Sequence, residues 1–310
     1  MTDSTYNSRN YRPSDFEKYL QLSIEVQRLE PAEHYPPTQT LSEGLHRPNY
    51  SPEQDLFIVE SAGEIVGYMD ITPEPQIGRV ILNCLIHPEH RRQGLASILL
   101  DYALPRAEEL GVRVAQACTP QDNLAAKSAL LKLGFKSVRR FLHMRLDMTR
   151  LSDEKINPAS QQCRHLQNGE EHKLTEIQNR SFAGNWGYNP NTVEEIIYRL
   201  NLSHSSPEDV LLVEDGERVA GYCWTRAIRE AETATGESKG QICMLGVDPD
   251  YRSQGIGKRV LLAGLSHLKS KGLPVAELAV DSQNKTACAL YQSVGFRIHD
   301  RIMWYEKVVV

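Results

Sequence analysis

At 310 residues the chain is long enough for two domains of ordinary size, and its 40% apolar and 24% charged residues suit packed cores under a polar surface. A net charge of −5 with no basic run excludes a general nucleic-acid-binding protein, which needs excess Lys and Arg to release counterions from phosphates. The polar start MTDSTYNSRNY has no apolar signal core and no run of about 18 apolar residues occurs, so a cytoplasmic protein with no membrane partner is expected.

The first predicted element is a helix over Ser14–Arg28. DLFIVE and IVGYMDIT follow as a hairpin around Ala62-Gly63, and VILNCLI is a third strand ending at a proline. A helix opened by Gly94 and closed by Gly111, the strand VRVAQACT, a helix started by Asn123 and a last strand complete the set. After the polar stretch MTRLSDEKINPASQQ the same order returns. It comprises a helix over Glu170–Ser181, DVLLVED and RVAGYCWTRAI about Gly216, QICMLGV, a helix closed by Gly272, PVAELAV, a helix started by Asn284 and a last strand. The polar run EAETATGESKG (230–240) is expected to be a mobile hairpin tip. Early antiparallel strands and late alternating elements predict an α/β fold with a mixed (α+β) sheet, twice. The expected division is a first domain 1–147, a linker 148–162 and a second domain 163–310.

The repetition is measurable. Residues 84–135 align without a gap to 245–296, with 13 identities in 52 positions, where composition alone gives roughly 3. HPEHRRQGLA lies over DPDYRSQGIG, and NLAAKSALLKLGF over NKTACALYQSVGF.

The chemistry concentrates in LGVDPDYRSQGIGKRVLL (245–262). Gly255 and Gly257 stand where a strand turns into a helix, so the backbone can approach a ligand and the free N–H groups of the first turn, with the helix dipole, favour a pyrophosphate. Arg252 and Lys258 add positive charge at the rim. A P-loop is excluded because no glycine stands five residues before Gly257 and Arg259 follows Lys258; GxGxxG would need a glycine at Val260. Six scattered cysteines without a CxxC read as reduced core thiols, and ten histidines form neither HExxH nor a cluster of ligand spacing, so no metal is expected.

Arg-x-x-Gly-x-Gly/Ala after an apolar strand, followed some 30 residues later by Asn-x-x-Ala and a Gly-Phe, resembles the GNAT superfamily of N-acetyltransferases. The tandem arrangement and length are similar to those of mycothiol synthase and related two-domain acetyltransferases. The resemblance implies acetyl-CoA as cofactor, held in the second copy by Leu245, Gly246, Val247, Arg252, Ser253, Gln254, Gly255, Ile256, Gly257, Lys258, Asn284 and Tyr291. In the first copy it implies Ile86, Arg91, Arg92, Gln93, Gly94, Leu95, Ala96 and Asn123. It further implies that Ile242–Val247 splays from Val275–Val280, that pantetheine pairs with the exposed backbone of Leu245–Val247, and that an N–H near Leu245 holds the acetyl carbonyl oxygen during direct transfer to an amine.

Tyr291 lies seven residues after Asn284, on the same helical stripe, and is the candidate acid for the departing thiolate. Asp281 and Glu277 are the candidates for relaying the amine's proton. The first copy has Leu130 where the second has Tyr291, and Pro105 should kink its glycine-opened helix, so catalysis is assigned to the second copy. Trp186 and Tyr188, in FAGNWGYNPNT (182–192), and Trp224 and Arg226 are candidates for acceptor binding, with Arg226 set against an acidic acceptor. The expected acceptor is a small-molecule amine, served by a monomer or homodimer. Acetylation of a protein N-terminus or lysine, and acyl-CoA binding without catalysis, are the alternatives.

Overall fold

The computed structural model describes residues 6–30, 38–229 and 236–309. In chain order the elements are β1 (Asn7–Asn10), α1 (Phe16–Leu29), α2 (Thr38–Gly44), α3 (Pro52–Asp55), β2 (Leu56–Ser61), β3 (Glu64–Glu74), β4 (Arg79–Ile86), α4 (Leu95–Glu109), β5 (Val114–Pro120), α5 (Leu124–Lys132) and β6 (Lys136–Asp147). Then come α6 (Asp153–Ser160), β7 (Arg164–His165), α7 (Glu171–Phe182), α8 (Val193–Leu200), β8 (Val210–Asp215), β9 (Arg218–Ile228), β10 (Lys239–Val247), α9 (Ile256–Ser270), β11 (Val275–Asp281), α10 (Lys285–Val294) and β12 (Arg297–Val308). The mixed α/β fold is present twice, and the hairpin expected at Ala62-Gly63 turns through positive φ at both residues.

The chain divides into two compact units, one of residues 1–139 and 303–310, the other of residues 140–302. This differs from a boundary at 147. Residues 140–147 of β6 belong to the second unit, where they pair antiparallel with β11 from Phe141↔Asp281 to Asp147↔Val275. The end of β12 belongs to the first unit, in which Val309 donates its N–H to Arg113 O. The two last strands carry interchangeable apolar positions: Met144 is fully buried in the second unit and Tyr305 is buried in the first. The expected linker is also built in, since Met148 and Ile156 are buried and α6 forms within it.

In the first unit β1, β2, β3 and β4 are antiparallel neighbours and β5 joins β4 in parallel. One face packs on α4, with Leu95, Leu99 and Ala103 buried, and the other on α1, through Tyr19, Leu22 and Val26. In the second unit the order is β7, β8, β9, β10, β11 and then β6, antiparallel except for the parallel β10–β11 pair. Its α9 buries Ile256, Val260, Leu261, Leu265 and Leu268 as one stripe against Ala276, Leu278 and Val280. On the opposite face α7 and α8 cover Leu212, Tyr222 and Trp224. Pro105 does not shorten α4, which has the same 15 residues as α9.

Met144→Ala should cost the second unit about 3 kcal/mol, the usual price of a large-to-small change in a packed core. Amide exchange should then accelerate in β11 and α9 while β2–β4 keep their protection. Acceleration confined to β2–β4 would refute the assignment of this strand.

Candidate active site

The site is built where β10 and β11 part. Their parallel pairing covers only Gly240↔Ala276 to Ile242↔Leu278, although β10 runs on to Val247 and β11 to Asp281. Over Met244–Val247 the other edge of β10 stays paired with β9, so one edge of this segment is left to face the gap. A bulge lies between Ile242 and Met244 and places Cys243 at the gap. Seven residues, Gln241–Val247, thus oppose six, Arg226–Gly221. In the first unit Ile81–Ile86 oppose Thr72–Gly67 residue for residue, without a bulge.

At the end of β10 the chain turns into α9 through Ser253 (φ 63°) and Gly255 (φ 81°), the latter as N-cap. A Cβ on Gly255 would meet nothing within 4 Å, so the mouth of the turn is open. Gly257 packs inward: a Cβ there would lie 3.4 Å from Leu290 Cδ2 and from Val247 Cγ2, and the first unit accommodates Ala96 at this place. The turn is fastened to α7. Arg180 binds the buried Asp248 through Nε at 2.6 Å, which is the chief reason that carboxyl titrates below its usual range. Arg252 donates Nη2 to Ser181 O at 2.9 Å and pairs with no carboxylate among the described residues, leaving its charge to the turn. Open amides, a positive helix end and a free edge of β10 fit an acyl-CoA, diphosphate at the turn and pantetheine along the strand. The first unit keeps the open glycine (Gly94, φ 77°) but clamps Arg91 onto Glu30 with two bonds, at 2.8 and 2.7 Å.

Tyr291, on α10, is 7% exposed and packs edge-on to Phe296 with ring centroids 5.9 Å apart; burial drives its phenol pKa well above the usual value. Asn284 caps α10 by accepting from Ala287 N–H, as Asn123 caps α5. Asp281 accepts from Gln283 N–H at 2.9 Å in the turn after β11.

On the face covered by α7 and α8, four strands align Arg226, Gln241, Glu277 and Arg145 in one cross-strand row. Glu277 is 3% exposed. Burial alone would raise its pKa, but His143 and Lys239, the latter at 2.8 Å, outweigh it and hold the carboxyl at about 2.

Trp224 is 5% exposed beneath α7 and α8, in the core rather than at a surface that meets an acceptor. Tyr188 is locked in its loop, donating to Asn179 Oδ1, accepting from Asn191 Nδ2 and stacking on Phe182. Trp186 stands 6.0 Å from the ring of Phe141. Phe141, His143 and Arg145 escaped the sequence reading because they come from the last strand of the first repeat. Residues 230–235 of the expected hairpin tip lie outside the described residues.

The model of the acetyltransferase (GNAT) family matches residues 21–135 and again 172–296. The chain belongs to the GNAT acetyltransferase family. As a GNAT protein it is an N-acetyltransferase of the tandem type. It is 29% identical to the mycothiol acetyltransferase of Thermobifida fusca over 78% of this chain and 77% of that one. Identity to the Stackebrandtia nassauensis enzyme of the same name is 30%, over 79% of each. Among solved structures it resembles a GCN5-related N-acetyltransferase from Sphaerobacter thermophilus (TM-score 0.72, 20% identity, 100% of this chain and 97% of that one). A tandem GNAT protein of the clavulanic acid biosynthesis pathway gives a TM-score of 0.71 at 15% identity, over 98% and 99% of the two chains. Among the described residues no helix is long and apolar enough to cross a membrane, and no group of His, Cys, Asp and Glu is set to hold a metal.

The folded pKa of Glu277 lies below its ordinary 4.5, so its pairing stabilises the GNAT fold above that pH and the gain is lost as pH falls from about 4.5 toward 2. Glu277→Gln should therefore lower the urea midpoint at neutral pH and flatten its decline through this window. Parallel curves for the two proteins would refute the ion pairing.

Proposed function

We propose that this chain moves an acetyl group from acetyl-CoA directly to the amine of a small-molecule acceptor, and that the second unit does so. The observation that carries this reading is the bulged β10, unpaired toward β11, ending at an open glycine-capped helix, in a unit whose α10 carries the buried, protonated Tyr291. When bound, acetyl-CoA supplies the acetyl group as a thioester.

Amides of the Ser253–Gly257 turn and Arg252 bind its diphosphate, and the free edge of Met244–Val247 orients pantetheine. The Leu245 N–H is held rigidly by a strand paired on its other side, and is aimed at the carbonyl oxygen on which charge grows as the amine attacks. Tyr291 gives its phenolic proton to the leaving sulfur. Its raised pKa keeps it protonated, and the same burial destabilises a bare thiolate, so the transfer is not opposed by a large mismatch. Asp281 takes the amine's proton through water. Glu277 is too weak a base at about 2 for that task and serves to order the row of charges.

The first unit has Leu130 in place of the tyrosine, no bulge, and an arginine already neutralised by Glu30. It is proposed to be catalytically silent.

A screen of amines with acetyl-CoA, read as free thiol, tests the reaction, and the acceptor of the mycothiol acetyltransferases belongs first in that screen. Tyr291→Phe should cut kcat by roughly 10²–10⁴, the range of a lost general acid, while acetyl-CoA affinity holds. Leu130→Met should leave the rate as it is. Undiminished turnover in the Phe variant would remove the tyrosine from the mechanism.

A further inference from the structure

Arg226 sits in the cross-strand row beside the gap, and its surroundings are incomplete. One guanidinium nitrogen meets His204 Nε2 at 3.0 Å and the other donates to Gln241 Oε1 at 2.8 Å. Because arginine only donates, that imidazole nitrogen accepts, so both partners are neutral. The third nitrogen, Nε, is buried without any hydrogen-bond partner. Among the described residues no carboxylate lies within ion-pair distance of Arg226. Glu277, two strands away in the row, is matched by Lys239 and His143. Arg226 is partly buried with its Nε shielded from water, and a cation so placed with no counter-ion is suited to take one.

The first unit is the control. Its row reads Thr72, Ile81 and Gln116, and Gln116 is closed internally by bonds with Arg79 and Glu306. Its nearby arginine, Arg47, is bound to Asp70 at 2.7 Å and to Thr72. The unit with the reactive gap is thus the one that keeps an arginine without an anion.

We propose that the acceptor bears an oxyanion, carboxylate or phosphate, several bonds from its amine, and that Arg226 receives it. This rests on the acetyl-transfer reading above. The spacing follows from the regular strand β9: Arg226 stands three residues from Cys223, the register partner of Leu245, roughly 10 Å at the rise of a β-strand. Even allowing for the reach of an arginine, an anion bonded next to the amine carbon falls short. An extended acceptor spans the distance, with the amine at Leu245 and the anion at Arg226.

The test is a series of ω-amino carboxylates of increasing length, each assayed against its neutral amide, with amino-alkyl phosphates against the corresponding alcohols to tell the two anions apart. The wild type should prefer the longer anionic amines over their neutral partners by roughly 10- to 100-fold in kcat/KM, the worth of a charge-assisted hydrogen bond. Arg226→Gln should abolish that preference, expressed in KM, and Arg226→Lys should keep part of it. Equal use of acids and amides by the wild type, or a preference that survives in Arg226→Gln, overturns the proposal while leaving acetyl transfer intact. Absence of thiol release with every amine strikes the transfer reading instead. A second measurement stands apart from turnover: with the protein saturated in CoA, acetate and inorganic phosphate should raise Tm more for wild type than for Arg226→Gln. Equal shifts overturn the proposal.

Discussion

The acetyl transfer proposed for the second unit depends on one interruption of hydrogen bonding. Parallel pairing between β10 and β11 stops after Ile242↔Leu278, yet both strands continue. Unpaired backbone of this kind is expensive unless something else satisfies it. In the second unit the interruption coincides with an extra residue at Cys243, while β9 keeps the far edge of β10 paired. Gly246 lets α7 close in, since a Cβ there would lie 2.6 Å from the Tyr222 ring and 2.7 Å from Ser181. A strand held on one side and open on the other offers rigid amides at no later cost in reorganisation, which is the condition for stabilising a developing oxyanion.

Comparison of the two units separates what they share from what the second alone has. Both have a left-handed glycine capping the helix after the third strand, and both have parallel strands that part after three residue pairs. The differences lie in the bulge, in Tyr291 against Leu130, and in the charge left on the arginine of the turn. A duplicated scaffold can keep its glycine turn for reasons of backbone geometry alone, because φ near +80° restricts the position whatever the ligand. Retention of Gly94 is therefore weak evidence of catalysis, whereas a buried phenol in place of a leucine alters what the site can do to a proton.

Much of this was legible in the sequence. The repeat, the glycine turns, the asparagine caps and the parting of the strands follow from periodicity, from residues with special backbone freedom, and from a family resemblance carried by them. The exchange of last strands was not, because backbone donors and acceptors are alike in every strand and an apolar alternation fits either sheet equally well. With that exchange went Phe141, His143 and Arg145, which no reading confined to residues 163–310 could place beside Glu277. Trp224 was misjudged for a related reason: alternation on β9 predicts which face it occupies, but whether that face is solvent or the underside of α7 and α8 is settled by packing.

The charge row shows why the borrowed strand matters to chemistry as well as to stability. Glu277 alone, buried on β11, would be driven to its neutral form by desolvation. Held ionised by Lys239 and by His143 of the incoming strand, with Arg145 at 3.7 Å from its other oxygen, it becomes a fixed negative charge at the centre of the face. Its charge is matched by those three neighbours, so it does not neutralise Arg226 at the row's end. On the proposed reading, Arg226 draws the acceptor's anion toward β9 and leaves its amine toward the parted strands. That proposal couples delivery of the nucleophile to the thioester with recognition of a distant group.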